Sequence, residues 1–300
     1  MKQDILRILP TRLRETFSQA FLGKDGIEEI RVRVGQPPEL RGAGQSEWLK
    51  EKATAEDLEE MLTFISRYSI YAYEEEIRQG YLTIEGGSRI GFAGQVRVEG
   101  GHVSRMTNIR FINIRIAKER KGCARELMPW LYEEGEFANT LLISKPGVGK
   151  TTYLRDCVRM ASEGDASHRG KKVCVIDERS EIAACHMGSP QNDVGRRTDV
   201  IDGCPKQEGM LMALRSLSPE IVAVDELGGR KDAAAVERLA LSGCRVLGTL
   251  HGDCMEQVGR MEEMSRLHRQ KLFRRYVFLK KEEDGRRTFQ IYNQESERLC

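Results

Sequence analysis

The chain has no apolar run approaching the roughly 18 residues that would span a bilayer, and no apolar core precedes Pro10 in the opening MKQDILRILP. Neither a membrane span nor a secretion signal is expected. C-x-x-C pairs are also missing: the eight cysteines, Cys123, Cys157, Cys174, Cys185, Cys204, Cys244, Cys254 and Cys300, are scattered. Without close spacing or a secretion signal they are expected to be reduced thiols, several of them packed as small hydrophobes. Cys185-His186 and His251-x-x-Cys254 lack the second pair that a zinc site needs. Charge of one sign is absent too. Lys+Arg at 48 against Asp+Glu at 46 leaves a formal net charge of +2, which excludes a global field that recruits nucleic acid or anionic membrane. What is present is 300 residues, 40% hydrophobic and 31% charged, the composition of a cytosolic globular protein with room for about two domains.

The first of these begins with Ile5, Leu9, Leu13, Phe17 and Phe21 at four-residue spacing, interrupted by Pro10, which predicts two short helices or one kinked helix. IEEIRVRV at 27–34 alternates apolar and charged residues and stops at Gly35-Gln36-Pro37-Pro38, as a half-buried strand does. Thr54 with Asp57 three residues on reads as a helix start, followed by one apolar face of Leu58, Met61, Leu62 and Ile65. A second short helix is expected over 71–78, ending at Gly80. From 81 to 117 the period becomes two, with turn signals at Gly86-Gly87 and Gly100-Gly101, which predicts a small antiparallel sheet of YLTIE, SRIGFAGQVRV, HVSRM and FINIRIA. Here Arg89, Arg97, Arg105, Arg110, Arg115 and Lys118 face only Glu85 and Glu99. They are read either as a solvated sheet face or as phosphate contacts at a subunit boundary. Single-stranded nucleic acid is disfavoured because the segment offers only Tyr81, Phe92 and Phe111 for stacking. The charged stretch 118–122 is taken as the hinge, giving domains 1–120 and 121–300.

In the second domain a helical stretch at 127–132 precedes apolar runs at 140–143, 173–176, 221–224 and 246–250, separated by helical segments. Such alternation predicts an α/β fold with a parallel sheet covered on both faces, whose ligands bind at the carboxyl ends of strands. Each run ends in polar residues. After TLLI comes SKPGVGKTT, a phosphate-binding loop: Lys145, Pro146, Gly147, Val148 and Gly149 form the turn, and Lys150, Thr151 and Thr152 open a helix whose N-terminus favours an anion. Lys150 would reach β- and γ-phosphates and Thr151 would ligate Mg²⁺. Ser144 stands where a glycine is usual, and the bland alternative is a glycine-rich turn before an ordinary helix.

After VCVI comes Asp177-Glu178-Arg179-Ser180-Glu181, read as acids that orient water or hold Mg²⁺ through water, or as a capping cluster for a following helix. After PEIVAV comes Asp225-Glu226, which matches a Walker B element with Asp225 toward Mg²⁺ and Glu226 toward the attacking water. On a regular strand these neighbours would point to opposite faces. After RVLGT comes His251, read as a γ-phosphate sensor or as a satisfied structural histidine. The stretch 190–205 has neither helical nor strand period and is expected to be a functional loop. Arg196, Arg197 and Arg215 are candidates for phosphate or inter-subunit contact, or plain surface residues. YVFLKKEEDGRRTFQIY at 276–292 predicts a hairpin about Asp284-Gly285, its charged flanks serving solubility.

In this order KPGVGKTT, VIDERSEI, PQNDVGRRTDVIDGCPKQEGM, RSLSPEIVAVDELG and TLHG resemble the stage III sporulation protein AA family, as do IEEIRVRVGQPPELR and SRIGFAGQV in the first half. That family is related to the type II/IV secretion ATPases. The resemblance implies a RecA-like P-loop domain preceded by a smaller α+β domain, working as a hexameric ring. It implies ATP binding by residues 145–152, Mg²⁺ at Thr151 and Asp225, a Walker B element at Asp225-Glu226, an acidic box at Glu178 and Glu181, a histidine box at His251, and Arg215 as the arginine preceding the Walker B strand. The implied role is to energise a channel between mother cell and forespore, from the mother-cell cytoplasm, docked through a membrane-anchored sporulation protein. Two rivals stand beside it: a nucleic-acid-dependent motor using the basic sheet, and a nucleotide-gated scaffold with little turnover.

Overall fold

Proline lacks the N–H that a helix interior uses, and at Pro10 it separates α1 (Lys2–Ile8) from α2 (Arg14–Phe21), with a single 3₁₀ turn at Thr11–Leu13 between them. The computed structural model describes residues 2–22, 26–42, 44–66, 73–117, 119–282 and 284–300. The chain divides into two compact units, Met1–Lys118 and Glu119–Cys300; Lys118 of the expected hinge lies outside the described residues.

In the first unit, β1 (Ile27–Arg33), β2 (Glu39–Gly42) and β3 (Gln45–Trp48) lead to α3 (Ala55–Ile65). A reciprocal capping box starts α3: the Asp57 N–H donates to Thr54 Oγ1 at 3.3 Å and the Thr54 N–H donates to Asp57 Oδ2 at 2.8 Å. Next come α4 (Glu74–Gln79), which ends on left-handed Gly80, then β4 (Tyr81–Thr83), β5 (Arg89–Glu99) and β6 (His102–Arg115). The expected start of α4 at 71 lies outside the described residues. The sheet order is β3-β2-β1-β6-β5-β4 with every neighbouring pair antiparallel. HVSRM and FINIRIA are one strand rather than two. β6 runs through Asn108 in a left-handed conformation, and the offset is absorbed by a register shift between Ala93 and Gln95. Ile30, Val32, Leu40, Ile90, Ile112 and Ile114 face the core with Leu9, Leu13, Phe17, Leu58 and Met61. The opposite face carries ion pairs, among them Arg33–Glu39 at 3.1 Å and Arg31–Glu29 at 3.0 Å.

The second unit opens with a 3₁₀ turn at Met128–Leu131, not the expected helix, because Pro129 sits in it. A two-stranded ribbon follows, β7 (Tyr132–Glu133) and β8 (Glu136–Phe137). The main elements are β9 (Thr140–Ser144), α5 (Lys150–Glu163), β10 (Val173–Asp177), β11 (Thr198–Asp202), α6 (Lys206–Ser216), β12 (Ile221–Val224), α7 (Arg230–Leu241), β13 (Arg245–His251), α8 (Met255–Arg260), α9 (Glu262–Arg269), β14 (Arg275–Lys281) and β15 (Arg287–Tyr292). The sheet runs β11-β10-β12-β13-β9-β14-β15, parallel throughout except for the final hairpin. Its faces feed two cores: Leu142, Val175, Ala223, Leu247 and Val277 pack with α5, while Leu141, Ile143, Ile176, Val222 and Val224 pack with α6 and α7. Full burial of one such aliphatic side chain contributes about 1.5–3 kcal/mol. Cys157, Cys174, Cys185 and Cys244 are buried among them. The stretch 190–205 is not wholly a loop: it supplies β11, whose half-exposed edge position hides the strand period.

Candidate active site

Ser144 is the last residue of β9 and pairs with His251 at the end of β13. It is extended strand, so no glycine is needed there; its hydroxyl donates to Lys145 O at 2.8 Å. Glycine is required further on, where Gly147 has φ +78° and Gly149 φ +113°. A side chain on Gly149 would meet Arg287 Nε at 3.2 Å, because Arg287 on β15 donates from Nε to the Val148 carbonyl at 2.6 Å. Arg287 therefore braces the loop, a role beyond the solubility expected of that hairpin's flanks. Lys145, Pro146 and Gly147 are exposed and Val148 half-buried, with Lys145 paired to Asp253 at 3.1 Å. α5 starts at Lys150 without a side-chain cap, leaving its first amides directed at the loop.

Lys150 bends back into the sheet end and is buried. Its Nζ donates to Ser144 O at 3.2 Å and lies 3.1 Å from His251 Nδ1. Burial pulls its pKa down, against the opposing charges of Asp225 and Glu226. An ammonium only donates, so His251 Nδ1 accepts, and Nε2 carries the proton it gives to Glu226 Oε1 at 3.0 Å. That hydrogen bond, with the charges of Arg179 and Lys206, holds the Glu226 pKa below the usual range despite burial.

Asp225 accepts from Thr151 Oγ1 at 2.6 Å and from Thr249 Oγ1. Thr249 Oγ1 in turn accepts the Glu226 N–H at 2.8 Å. β12 ends at Val224 and Glu226 takes φ +55°, so strand alternation does not reach the acidic pair. The left-handed residue returns the second carboxylate to the cluster that holds the first, instead of sending it to the opposite face.

The acids after β10 sit in a turn, with no helix for them to cap. Buried Asp177 accepts from the N–H groups of Glu181, Ile182 and Ala183 at 2.8, 3.0 and 2.8 Å, and burial raises its pKa against those bonds. Arg155 of α5 donates to the carbonyls of Glu181 and Ile182, so the turn is fixed to the loop's own helix. Glu178 Oε2 meets Lys206 Nζ at 3.2 Å, whereas the Glu181 side chain is exposed. Ile176, Asp177, Glu178, Arg179, Glu181, Lys206, Asp225 and Glu226 line the resulting cleft.

The structure thus brings Lys150, Thr151, Glu178, Asp225, Glu226 and His251 into one set of contacts. Thr152 stands half-buried on the first turn of α5. Arg215 is separate: exposed in the last turn of α6, about 13 Å along the helix from Lys206. Arg196 and Arg197 bind Glu163 and Ser162 on α5, which secures the entry to β11. Sequence reasoning missed Thr249, Lys206, Arg155 and Arg287. Lys206 left one signal, a cation on the first residue of a helix, where the dipole favours an acid. Among the described residues no cluster of three or more His, Cys, Asp or Glu could hold a metal, and no helix is long and apolar enough to cross a membrane.

A family model described as "Sporulation stage III, protein AA" matches residues 1–299. The chain is 40% identical over 296 residues to stage III sporulation protein AA of Bacillus subtilis (strain 168), covering 97% of this chain and 95% of that protein. Among solved structures it is similar to the ATPase DotB of Legionella pneumophila, with TM-score 0.63 and 17% identity over 95% of this chain and 80% of DotB. It is also similar to the pilus retraction motor PilT, solved with bound ADP, with TM-score 0.62 and 16% identity over 93% of this chain and 81% of PilT. At such identities the likeness is one of fold, the RecA-like α/β architecture of secretion ATPases.

Proposed function

This chain belongs to the sporulation stage III protein AA family, and from that premise we propose that it hydrolyses ATP as a subunit of a ring-shaped, hexameric motor of the secretion-ATPase kind. The observation that carries this reading is the contact chain Lys150–His251–Glu226, flanked by the Thr151–Asp225 pair, at the carboxyl ends of adjacent strands. The loop amides and the α5 N-terminus receive the β- and γ-phosphates. Lys150 exchanges His251 for a γ-phosphate oxygen, leaving His251 Nδ1 free to report that the phosphate is in place. Glu226, ionised at neutral pH, accepts at its carboxylate the proton of the attacking water.

Thr151 Oγ1 and Asp225 Oδ2 already converge as hard oxygen donors, so these residues fit Mg²⁺ and would hold it. When bound, Mg²⁺ supplies charge neutralisation on the β- and γ-phosphate oxygens. Arg215, exposed and unengaged by the cluster, is assigned to a neighbouring subunit. In the cell the ring would energise a channel between mother cell and forespore, from the mother-cell cytoplasm, attached through a membrane-anchored channel protein; nucleic acid is not assigned as a partner.

The test is phosphate release from ATP with Mg²⁺ by wild type and Glu226→Gln, with binding followed by a fluorescent ATP analogue. Glu226→Gln is expected to bind normally and turn over at least ~100-fold more slowly. Turnover at the wild-type rate rejects Glu226 as the base. A wild type that assembles and binds but releases no phosphate is a nucleotide-gated scaffold.

A further inference from the structure

Lys206 opens α6 directly after Pro205, and no side chain caps this terminus. A cation there opposes the helix dipole, so its retention calls for a partner elsewhere. The ammonium points into the cleft, its side chain only 16% exposed, and reaches Glu178 Oε2 at 3.2 Å. It also donates to the backbone carbonyl of Glu226 at 2.8 Å. These acceptors follow two different strands, β10 and β12.

Glu226 needs holding. Its φ of +55° is a conformation that a residue with a side chain adopts only when its surroundings impose it. From β13 it is held by its own N–H on Thr249 Oγ1 and by the Leu227 N–H on the Thr249 carbonyl at 2.9 Å. Both contacts come from one neighbouring strand. Lys206 supplies the restraint from the other side.

We propose that Lys206 is a positioning residue that clasps the Glu226 carbonyl and Glu178 together, fixing the direction in which the Glu226 carboxylate points. Its kinetic consequence rests on the hydrolytic reading of the site; its structural consequence does not. The two are therefore measured separately, on the full chain.

Lys206→Met keeps the stem and removes the donor. In ATP turnover it is expected to lower kcat about 10- to 100-fold with KM changed less than about 2-fold, the pattern of a misdirected catalytic group rather than lost binding. Lys206→Arg, which restores donors and charge, is expected to recover most of the rate. In the nucleotide-free protein, hydrogen exchange of the 225–228 amides should rise at least ~10-fold in Lys206→Met while that of 145–149 stays at the wild-type value. Lys206→Leu, which also lacks a donor, carries the same two expectations if the methionine variant does not fold. Unchanged exchange at 225–228 overturns the clasp. So does a kcat in Lys206→Met equal to that of a wild type that turns over. If wild type releases no phosphate, the hydrolytic reading fails, and the exchange measurement still decides on Lys206.

Discussion

In the first unit's sheet Ile112 and Ile114 are buried while Phe111 beside them is 50% exposed; in the second unit's sheet Leu141, Leu142 and Ile143 are buried in succession. The antiparallel sheet keeps one wetter face, so its charges spread along that face and pair both along a strand, as Arg31 does with Glu29, and across strands, as Arg33 does with Glu39 and Arg41 with Glu29. Where the arginine stays solvated, as Arg41 does, such a pair contributes little. The central strands of the parallel sheet have no wet face. Their charged residues gather where the strands stop, and there they meet in a half-buried group that shifts Lys150 and Glu226 from their ordinary protonation behaviour. Reactive character follows from that crowding at strand ends.

The contrast can be broken at its ends or along its length. Lys150→Ala is expected to have the largest effect on ligand: nucleotide-induced thermal stabilisation disappears, while the melting temperature without nucleotide stays level or rises, since a buried charge has gone. Along the strands, Leu141→Ala and Leu142→Ala should both cost about 2–5 kcal/mol in denaturant unfolding. In the first unit Ile112→Ala should cost a similar amount and Phe111→Ala only about 0.5 kcal/mol. Equal penalties at 111 and 112 would show that the exposed face is covered in solution.

A smaller effect is expected at Asp57, whose burial raises its pKa but is outweighed by the Arg12 hydrogen bond and the Thr54 N–H, leaving it depressed. Asp57→Asn should cost about 1 kcal/mol at pH 7. A depressed native pKa means that this contribution is complete above the ordinary carboxylate value near pH 4 and fades as pH falls through the lower native value; acid titration of both proteins by circular dichroism should show the gap closing. Smallest of all, Arg41→Gln, whose side chain is half exposed, should change stability by about 0–1 kcal/mol and less at high salt.

Much of the fold was legible because its causes are local. Pro10 divides α1 from α2, Thr54 and Asp57 start α3, and four apolar runs became four parallel strands. What escaped depends on distance or exposure. β11 is half wet, so TDVID shows no clean period. β6 passes through left-handed Asn108, which disguised one strand as two. The site's loop, acids and histidine were visible as strand-end punctuation. Thr249, Lys206 and Arg287 were not, because each acts on a residue far off in sequence and has an ordinary local setting. The separation of the two acids failed for a related reason: alternation holds only while the strand continues, and β12 stops before either acid.

The ladder position of β9 has a consequence for how the molecule is made. β9 lies between β13 and β14, with Arg275 to Phe278 paired to Thr140 to Ile143. On the ribosome, Thr140–Ser144 emerges long before either neighbour, an apolar edge ready to pair with the wrong chain. At ordinary elongation rates it waits on the order of ten seconds for β14. Arg287 arrives later still, so the brace on the phosphate loop is among the last contacts of the second unit to become available, and a chain stalled before β14 carries every strand-end motif on five parallel strands but leaves one edge of β9 bare and the loop unbraced.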